Sequence, residues 1–232
     1  MNEVNPRQNV TFASNGGQAH GYLKKPESGS GPGLILIQEW WGLDDHMAEV
    51  ADRFAAEGFV TLAPDLYGGR VAHDADTAGQ MLAELPVEQA AKDLAGAVDF
   101  LLADPSVTST TVGAVGFCMG GGFVLQLAAQ QGDKISAAAP FYGVGPAVPH
   151  QYRTVTAPIQ GHYGEQDDFY PVEQARAQEQ QIRDESGGSV EFLYYPAGHA
   201  FHNDKNKMGT YNERYAKQAW ERSVAFLKAN VH

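Results

Sequence analysis

Residues 111–131 read TVGAVGFCMGGGFVLQLAAQQ. Thr111–Phe117 is apolar almost throughout, as expected of a strand buried on both faces of a sheet. Met119–Gln131 is predicted as the helix that follows it. Between the two, Gly116-Phe117-Cys118-Met119-Gly120 spells G-x-C-x-G, the nucleophile-elbow pattern with sulfur in place of the usual serine oxygen. A strand that turns this sharply into a helix strains its middle residue, and only very small neighbours two positions away avoid a clash. The thiol would then stand at a helix N-terminus, where the macrodipole favours thiolate. The Met119 N–H, which has no acceptor inside the helix, can face an oxyanion. The plainer alternative is a buried, inert cysteine beside a glycine-rich corner. A phosphate-cradling loop fits worse, because there is no Gly-Lys-Ser/Thr and Gly113, Gly116 and Gly120 miss the G-x-G-x-x-G spacing.

Outward from this corner the chain alternates strands and helices. Upstream, Leu34–Gln38 is a continuous apolar run, Asp45–Glu57 reads as a helix closed by Gly58, and Phe59–Ala63 as a strand. From Val87 to Leu102 the apolar positions Val87, Ala90, Ala91, Leu94, Ala97, Val98, Leu101 and Leu102 keep the three-and-four spacing of a helix. At the start, Asn9–Ala13 and Gln18–Lys24 flank Asn15-Gly16-Gly17, a hairpin signal. Glu27–Gly33, rich in Ser, Gly and Pro, is predicted as a loop. Downstream, Ile135–Tyr142 and Ala157–Tyr163 are strands, Val172–Ser186 a helix, Ser189–Tyr195 a strand and Thr210–Ala229 the last helix. Strands joined through helices imply right-handed crossovers. The predicted class is α/β: one domain over residues 1–232 with a mainly parallel sheet, an N-terminal antiparallel hairpin, helices on both faces and no separate lid.

Composition narrows the function. Hydrophobic residues are 43% of the 232 and charged residues 19%, so a core can form and global disorder is excluded. Lys and Arg number 16 against 28 Asp and Glu, a formal charge of −12 that argues against nucleic-acid and anionic-membrane partners. Cys118 is the sole cysteine, which excludes an intrachain disulfide and a Cys-only metal cluster. The polar start MNEVNPRQNV does not read as a signal peptide, and no apolar run reaches the roughly 18 residues of a membrane helix, so a cytoplasmic location is expected.

A nucleophile on such a sheet needs an acid and then a base, in that chain order and at strand carboxyl ends. Gly164-Glu165-Gln166-Asp167-Asp168-Phe169-Tyr170-Pro171 follows one strand, and Pro196-Ala197-Gly198-His199-Ala200-Phe201-His202 follows the next. On the residues alone, Asp167 against Asp168 and His199 against His202 stay open, although His199 follows Gly198 directly and can swing over the elbow. A metal held by His199, His202 and Asp204 lacks a helical i, i+4 scaffold, and no metal is expected. Gln38-Glu39-Trp40-Trp41-Gly42 ends the central strand. A carboxylate is unusual there, because negative charge develops in that region. Glu39 is either a solvated loop acid or a group that holds the thiol at rest.

Gln38-Glu39 before Gly42, Gly116-Phe117-Cys118-Met119-Gly120-Gly121, Gly164-Glu165-Gln166-Asp167 and Ala197-Gly198-His199-Ala200-Phe201 together resemble the dienelactone hydrolase family of the α/β-hydrolase superfamily. The resemblance runs from the hairpin to the last helix. It implies a triad of Cys118, Asp167 and His199, which selects Asp167 over Asp168 and His199 over His202. It assigns Glu39 to thiol activation once a substrate anion has engaged an arginine, and the oxyanion to the N–H groups of Met119 and Trp40. It implies attack on a small ester or lactone, an acyl-thioester intermediate and no cofactor. Arg70, after Asp65-Leu66-Tyr67, is the expected first substrate arginine, with Trp41, Tyr142 and Phe201 as further binding residues. Asn203 stands where the second arginine is expected, and an amide does not replace a bidentate clamp. A monomer or weak homo-oligomer acting on a small molecule is the implied state. A general carboxylesterase or thioesterase, and a non-enzymatic thiol sensor, are the alternatives.

Overall fold

The computed structural model describes residues 5–145 and 151–232, in which the chain forms eight strands and six helices. In chain order these are β1 (Val10–Ser14), β2 (Gly17–Lys24), β3 (Gly31–Ile37), α1 (Asp45–Ala56), β4 (Val60–Pro64), α2 (Ala75–Glu84), α3 (Val87–Ala103), β5 (Val107–Phe117), α4 (Met119–Gln131), β6 (Ile135–Phe141), β7 (Ile159–Gly164), α5 (Val172–Glu185), β8 (Val190–Tyr195) and α6 (Glu213–Asn230). The strand order is β1-β2-β4-β3-β5-β6-β7-β8. The α/β class and the leading antiparallel hairpin hold. The chain divides within β5, between Val112 and Gly113, into two compact units.

In the first unit, the β1–β2 hairpin turns through Asn15 and Gly16, with φ of 42° and 81°. Two consecutive positive φ angles match the right-handed twist of the flanking strands. β2 pairs antiparallel with β4, and β4 runs parallel to β3 from the Gly33–Val60 pair. Leu34, Ile35, Leu36 and Ile37 are all fully buried, as the unbroken apolar run requires. The Asp44 carboxylate caps α1 by accepting from the Met47 N–H at 3.0 Å, worth about 1 kcal/mol. α1 then buries Met47, Val50, Ala51 and Phe54.

Several elements differ from expectation. β3 begins at Gly31, inside the stretch expected to be a loop, and the Gly31 N–H donates to the Ser106 carbonyl. A Cβ on Gly31 would lie 2.0 Å from the Gly58 carbonyl oxygen, so this glycine serves close backbone packing, not flexibility. β5 starts at Val107, four residues early. α2 was not expected at all: Asp74 caps it through the Thr77 N–H, but it buries only Ala78 and Met81, which leaves little periodicity to read.

In the second unit, β6, β7 and β8 are parallel, with Ala138 opposite Ile159 and β7 paired to β8 from Ile159–Val190 to Gly164–Tyr195. α6 starts at Glu213, later than expected, because the Asn212 side chain caps it by accepting from the Tyr215 N–H. No helix among the described residues is long and apolar enough to cross a membrane.

Candidate active site

β5 stops at Phe117 and α4 starts at Met119, leaving Cys118 alone at the corner with φ 54° and ψ −121°. That conformation costs a non-glycine residue about 1–3 kcal/mol and persists only if the surroundings enforce it. The surroundings are backbone. The Cys118 N–H donates to the Phe141 carbonyl at 3.1 Å, and the Cys118 carbonyl accepts from the Gly121 N–H at 2.9 Å. A Cβ on Gly143 would sit 1.9 Å from the Cys118 carbonyl oxygen, so glycine is the residue that lets the chain after β6 press against the corner. Tyr142, just before it, also has a positive φ, 35°. Its N–H donates to the His162 carbonyl, and the Tyr163 hydroxyl donates to the Gly143 carbonyl.

The loops after β7 and β8 are tied to each other before either reaches the thiol. The Glu165 N–H donates to the Tyr195 carbonyl and the Gln166 N–H to the Ala197 carbonyl. This sets Asp167 against His199. Asp167 Oδ2 lies 2.8 Å from His199 Nδ1, and His199 Nε2 lies 3.1 Å from Cys118 Sγ. The three are 6%, 3% and 8% exposed. A carboxylate only accepts, so Nδ1 carries a proton, and Nε2 faces sulfur as acceptor from a thiol or donor to a thiolate. The other oxygen of Asp167 accepts the N–H groups of Phe169 and Tyr170, both at 2.8 Å. The Thr210 hydroxyl donates to the His199 carbonyl and fixes the loop from its far side.

The geometry therefore brings Asp167 and His199 to Cys118. Asp168 is exposed. His202 is buried and stacked, 5.1 Å from the Phe117 ring and 5.9 Å from that of Trp220. Tyr142 and Phe201, expected to touch substrate, are both 0% exposed. Tyr142 meets the His199 ring edge-on at 5.2 Å, and Phe201 packs behind Tyr142, so these rings support the imidazole instead of lining an open surface. Asn203 is buried as well, and its side-chain oxygen accepts from the Lys205 N–H to close a turn.

The remaining expected residues lie in the first unit. Glu39, after β3, is 2% exposed, which rules out the solvated-loop reading. Trp40 and Trp41 meet edge-to-face at 5.1 Å. Arg70 is exposed and pairs with Glu84 of α2 at 3.0 Å, so its guanidinium is engaged by a carboxylate of the chain itself.

Two residues near the imidazole escaped the sequence reading. The Phe169 and Tyr170 rings lie 5.0 Å and 5.6 Å from the His199 ring. Burial first, then the negative charges of Cys118 and Asp167, push the Tyr170 phenol up to about 12. It stays a neutral hydroxyl beside the thiol. The signal was available: aromatic residues directly after a strand-end acid sit where that acid's partner must be.

Residues 19–231 match the sequence model of the dienelactone hydrolase family. The chain belongs to that family. A protein of Aquifex pyrophilus named usf is 34% identical over 228 residues, covering 95% of this chain and 97% of its own length. A protein of Aquifex aeolicus provisionally named carboxymethylenebutenolidase is 30% identical, with the same coverage. Among solved structures, a Klebsiella pneumoniae protein provisionally named dienelactone hydrolase superposes with a TM-score of 0.83 at 28% identity, covering 94% of this chain and 96% of its own. As a member of the dienelactone hydrolase family the chain is a hydrolase on an α/β-hydrolase fold.

Proposed function

We propose that this protein hydrolyses small carboxylic esters or lactones with Cys118 as nucleophile, through an acyl-thioester. The observation that carries this reading is the unbroken line Asp167 Oδ2–His199–Cys118 Sγ, with contacts of 2.8 Å and 3.1 Å between buried side chains. His199 Nε2 takes the thiol proton as sulfur attacks the carbonyl carbon, and Asp167 holds the ring in the tautomer that leaves Nε2 able to accept. The oxyanion that forms faces the N-terminus of α4, where the Met119 N–H at its first position is the donor the elbow pattern assigns. Collapse of the tetrahedral intermediate breaks the C–O bond, and the leaving alkoxide takes the proton from Nε2. Water, deprotonated by the same nitrogen, then attacks the thioester, releases the acid and returns the proton to sulfur. With a lactone the alkoxide stays tethered, and one ring-opened acid leaves. The roles of Glu39 in thiol activation and of the Trp40 N–H as second oxyanion donor rest on the family resemblance alone.

Substrate class follows from what holds an anion. Asn203 occupies the place of a second arginine and spends its oxygen on the Lys205 N–H, while Arg70 pairs with Glu84. Both features favour a substrate whose turnover does not depend on a free carboxylate. A lone thiol nucleophile also fits the reducing cytoplasm. The test is hydrolysis of p-nitrophenyl acetate by wild type and Cys118→Ala. Loss of a hundredfold or more, of the order found for triad nucleophiles, is expected. Equal rates above background overturn the reading and place the ester chemistry on another group.

A further inference from the structure

We infer that Phe169, with Tyr170 beside it, forms a subsite for an aryl group on the leaving-group side of the ester, an inference that rests on the proposed thiol hydrolase. The argument begins with exposure. Phe169 is 54% exposed, an unusual state for a phenylalanine, yet its ring centre lies 5.0 Å from the nearly buried imidazole of His199. The ring is not loosely hung there. Asp167, which orients His199 through one oxygen, holds the backbone N–H groups of Phe169 and Tyr170 with the other, both at 2.8 Å. One buried carboxylate therefore fixes the base and the two aromatic residues in a single rigid arrangement.

Position decides which part of the substrate the rings meet. His199 Nε2 must hand its proton to the leaving oxygen, so that oxygen comes within hydrogen-bond reach of the imidazole. The group attached to it is then adjacent to the rings that flank the imidazole. Tyr142, the third ring against His199, is fully buried and closes that side with an apolar wall. Phe169 and Tyr170 remain in part accessible. An aryl leaving group gains an aromatic contact there that a methyl group cannot make. A carboxylate on the leaving group would meet no cation on this turn, whose charged members, Glu165, Asp167 and Asp168, are all acidic.

The experiment compares kcat/KM for phenyl acetate and for methyl acetate, taking the ratio of the two within each protein. In Phe169→Ala this ratio is expected to fall about five- to tenfold, mostly through KM for phenyl acetate, the size of one aromatic contact. Phe169→Leu, which keeps bulk and removes the ring, should fall nearly as far. Val87→Ala, at a position equally exposed on α3, should leave the ratio unchanged. An unchanged ratio in both Phe169 variants overturns the inference. So does an equal loss on both esters, which would make Phe169 a support for His199 only. Binding of phenyl acetate to Cys118→Ala protein, with and without Phe169→Ala and followed by saturation-transfer NMR, separates this inference from the proposed function. Weakened binding upholds the subsite even if Cys118→Ala keeps its esterase activity, and unaltered binding overturns it even if that activity is lost.

Discussion

The corner at Cys118 and the turn at Asp167 hold their functional groups in opposite ways. At Cys118 the backbone itself is strained, φ 54°, and the restraint is backbone packing: the Phe141 carbonyl on its N–H, the Gly121 N–H on its carbonyl, and Gly143 pressed against it. At Asp167 one side chain does the holding, with three hydrogen bonds of 2.8 Å to His199, Phe169 and Tyr170. A corner built from backbone packing tolerates no added atom. A turn built on a carboxylate tolerates nearby substitution but fails when that one group changes.

The largest expected effect tests the second half of this contrast. Asp167→Asn keeps an oxygen to accept the Phe169 and Tyr170 N–H groups, so the fold should survive with little change in Tm. The amide that replaces Oδ2 donates to His199 Nδ1 and forces the proton to Nε2, the wrong tautomer for a base facing a thiol. A fall in kcat of about 10³- to 10⁴-fold is expected for p-nitrophenyl acetate, the order seen when a triad acid becomes an amide. A fall below tenfold would show that the carboxylate acts only as a tether. Next in size is Gly143→Ala, which tests the corner. Its Cβ would be 1.9 Å from the Cys118 oxygen and 2.9 Å from the Gly122 nitrogen, both backbone atoms that cannot swing away. Denaturant unfolding should show a loss of about 1–3 kcal/mol, with activity falling as the corner opens. A variant as stable and active as wild type would mean that the corner is not buttressed from β6.

The same contrast explains what could be read in the sequence. The corner was legible because backbone strain selects residue types: glycines flank a reactive residue, a strand precedes it and a helix follows. The strand–helix alternation was legible for a different reason, wherever an element buries a full apolar face, as β3 and α3 do. Where burial is thin the reading failed. α2 hides two side chains and left no period to find, and the Gly-Pro-Gly that opens β3 looked like a loop because close packing and flexibility draw on the same residue. At the acid, two adjacent carboxylates of equal chemistry stood one residue apart. Composition cannot tell them apart, because the difference is which way each points. Phe169 and Tyr170 left no signal of their own, because their placement depends on backbone hydrogen bonds to Asp167.

A smaller effect lies in the packing behind the site. His162 is fully buried on β7, bonded through Nδ1 to the Tyr195 hydroxyl and stacked 4.4 Å from Phe141, whose carbonyl restrains Cys118. Burial first, and then the charge of Arg222, lowers its pKa to about 3 from an ordinary 6.5. The unfolded chain therefore binds a proton near pH 6.5 that the folded chain refuses until about pH 3. The stabilisation is complete above pH 6.5 and drains away as pH falls across that window. Tm should drop with acidification between these limits, and in His162→Phe the slope should flatten. An equally steep slope in the variant would place the acid sensitivity in the carboxylates.

The smallest effect is the sharpest control on the turn. Asp168 has the same carboxylate as Asp167, is next to it in the chain, and differs in being exposed. Asp168→Asn removes one negative charge from a chain already at −12, and removes it where water screens it. Stability should stay within about 0.5 kcal/mol of wild type and kcat for p-nitrophenyl acetate within about twofold. The pair then sets a buried, hydrogen-bonded carboxylate against an exposed one of the same charge and side-chain length, one residue away. Should Asp168→Asn lose as much activity as Asp167→Asn, the effect would belong to the net charge near the thiol. The hydrogen bond from Asp167 to His199 would then have no special part in the reaction.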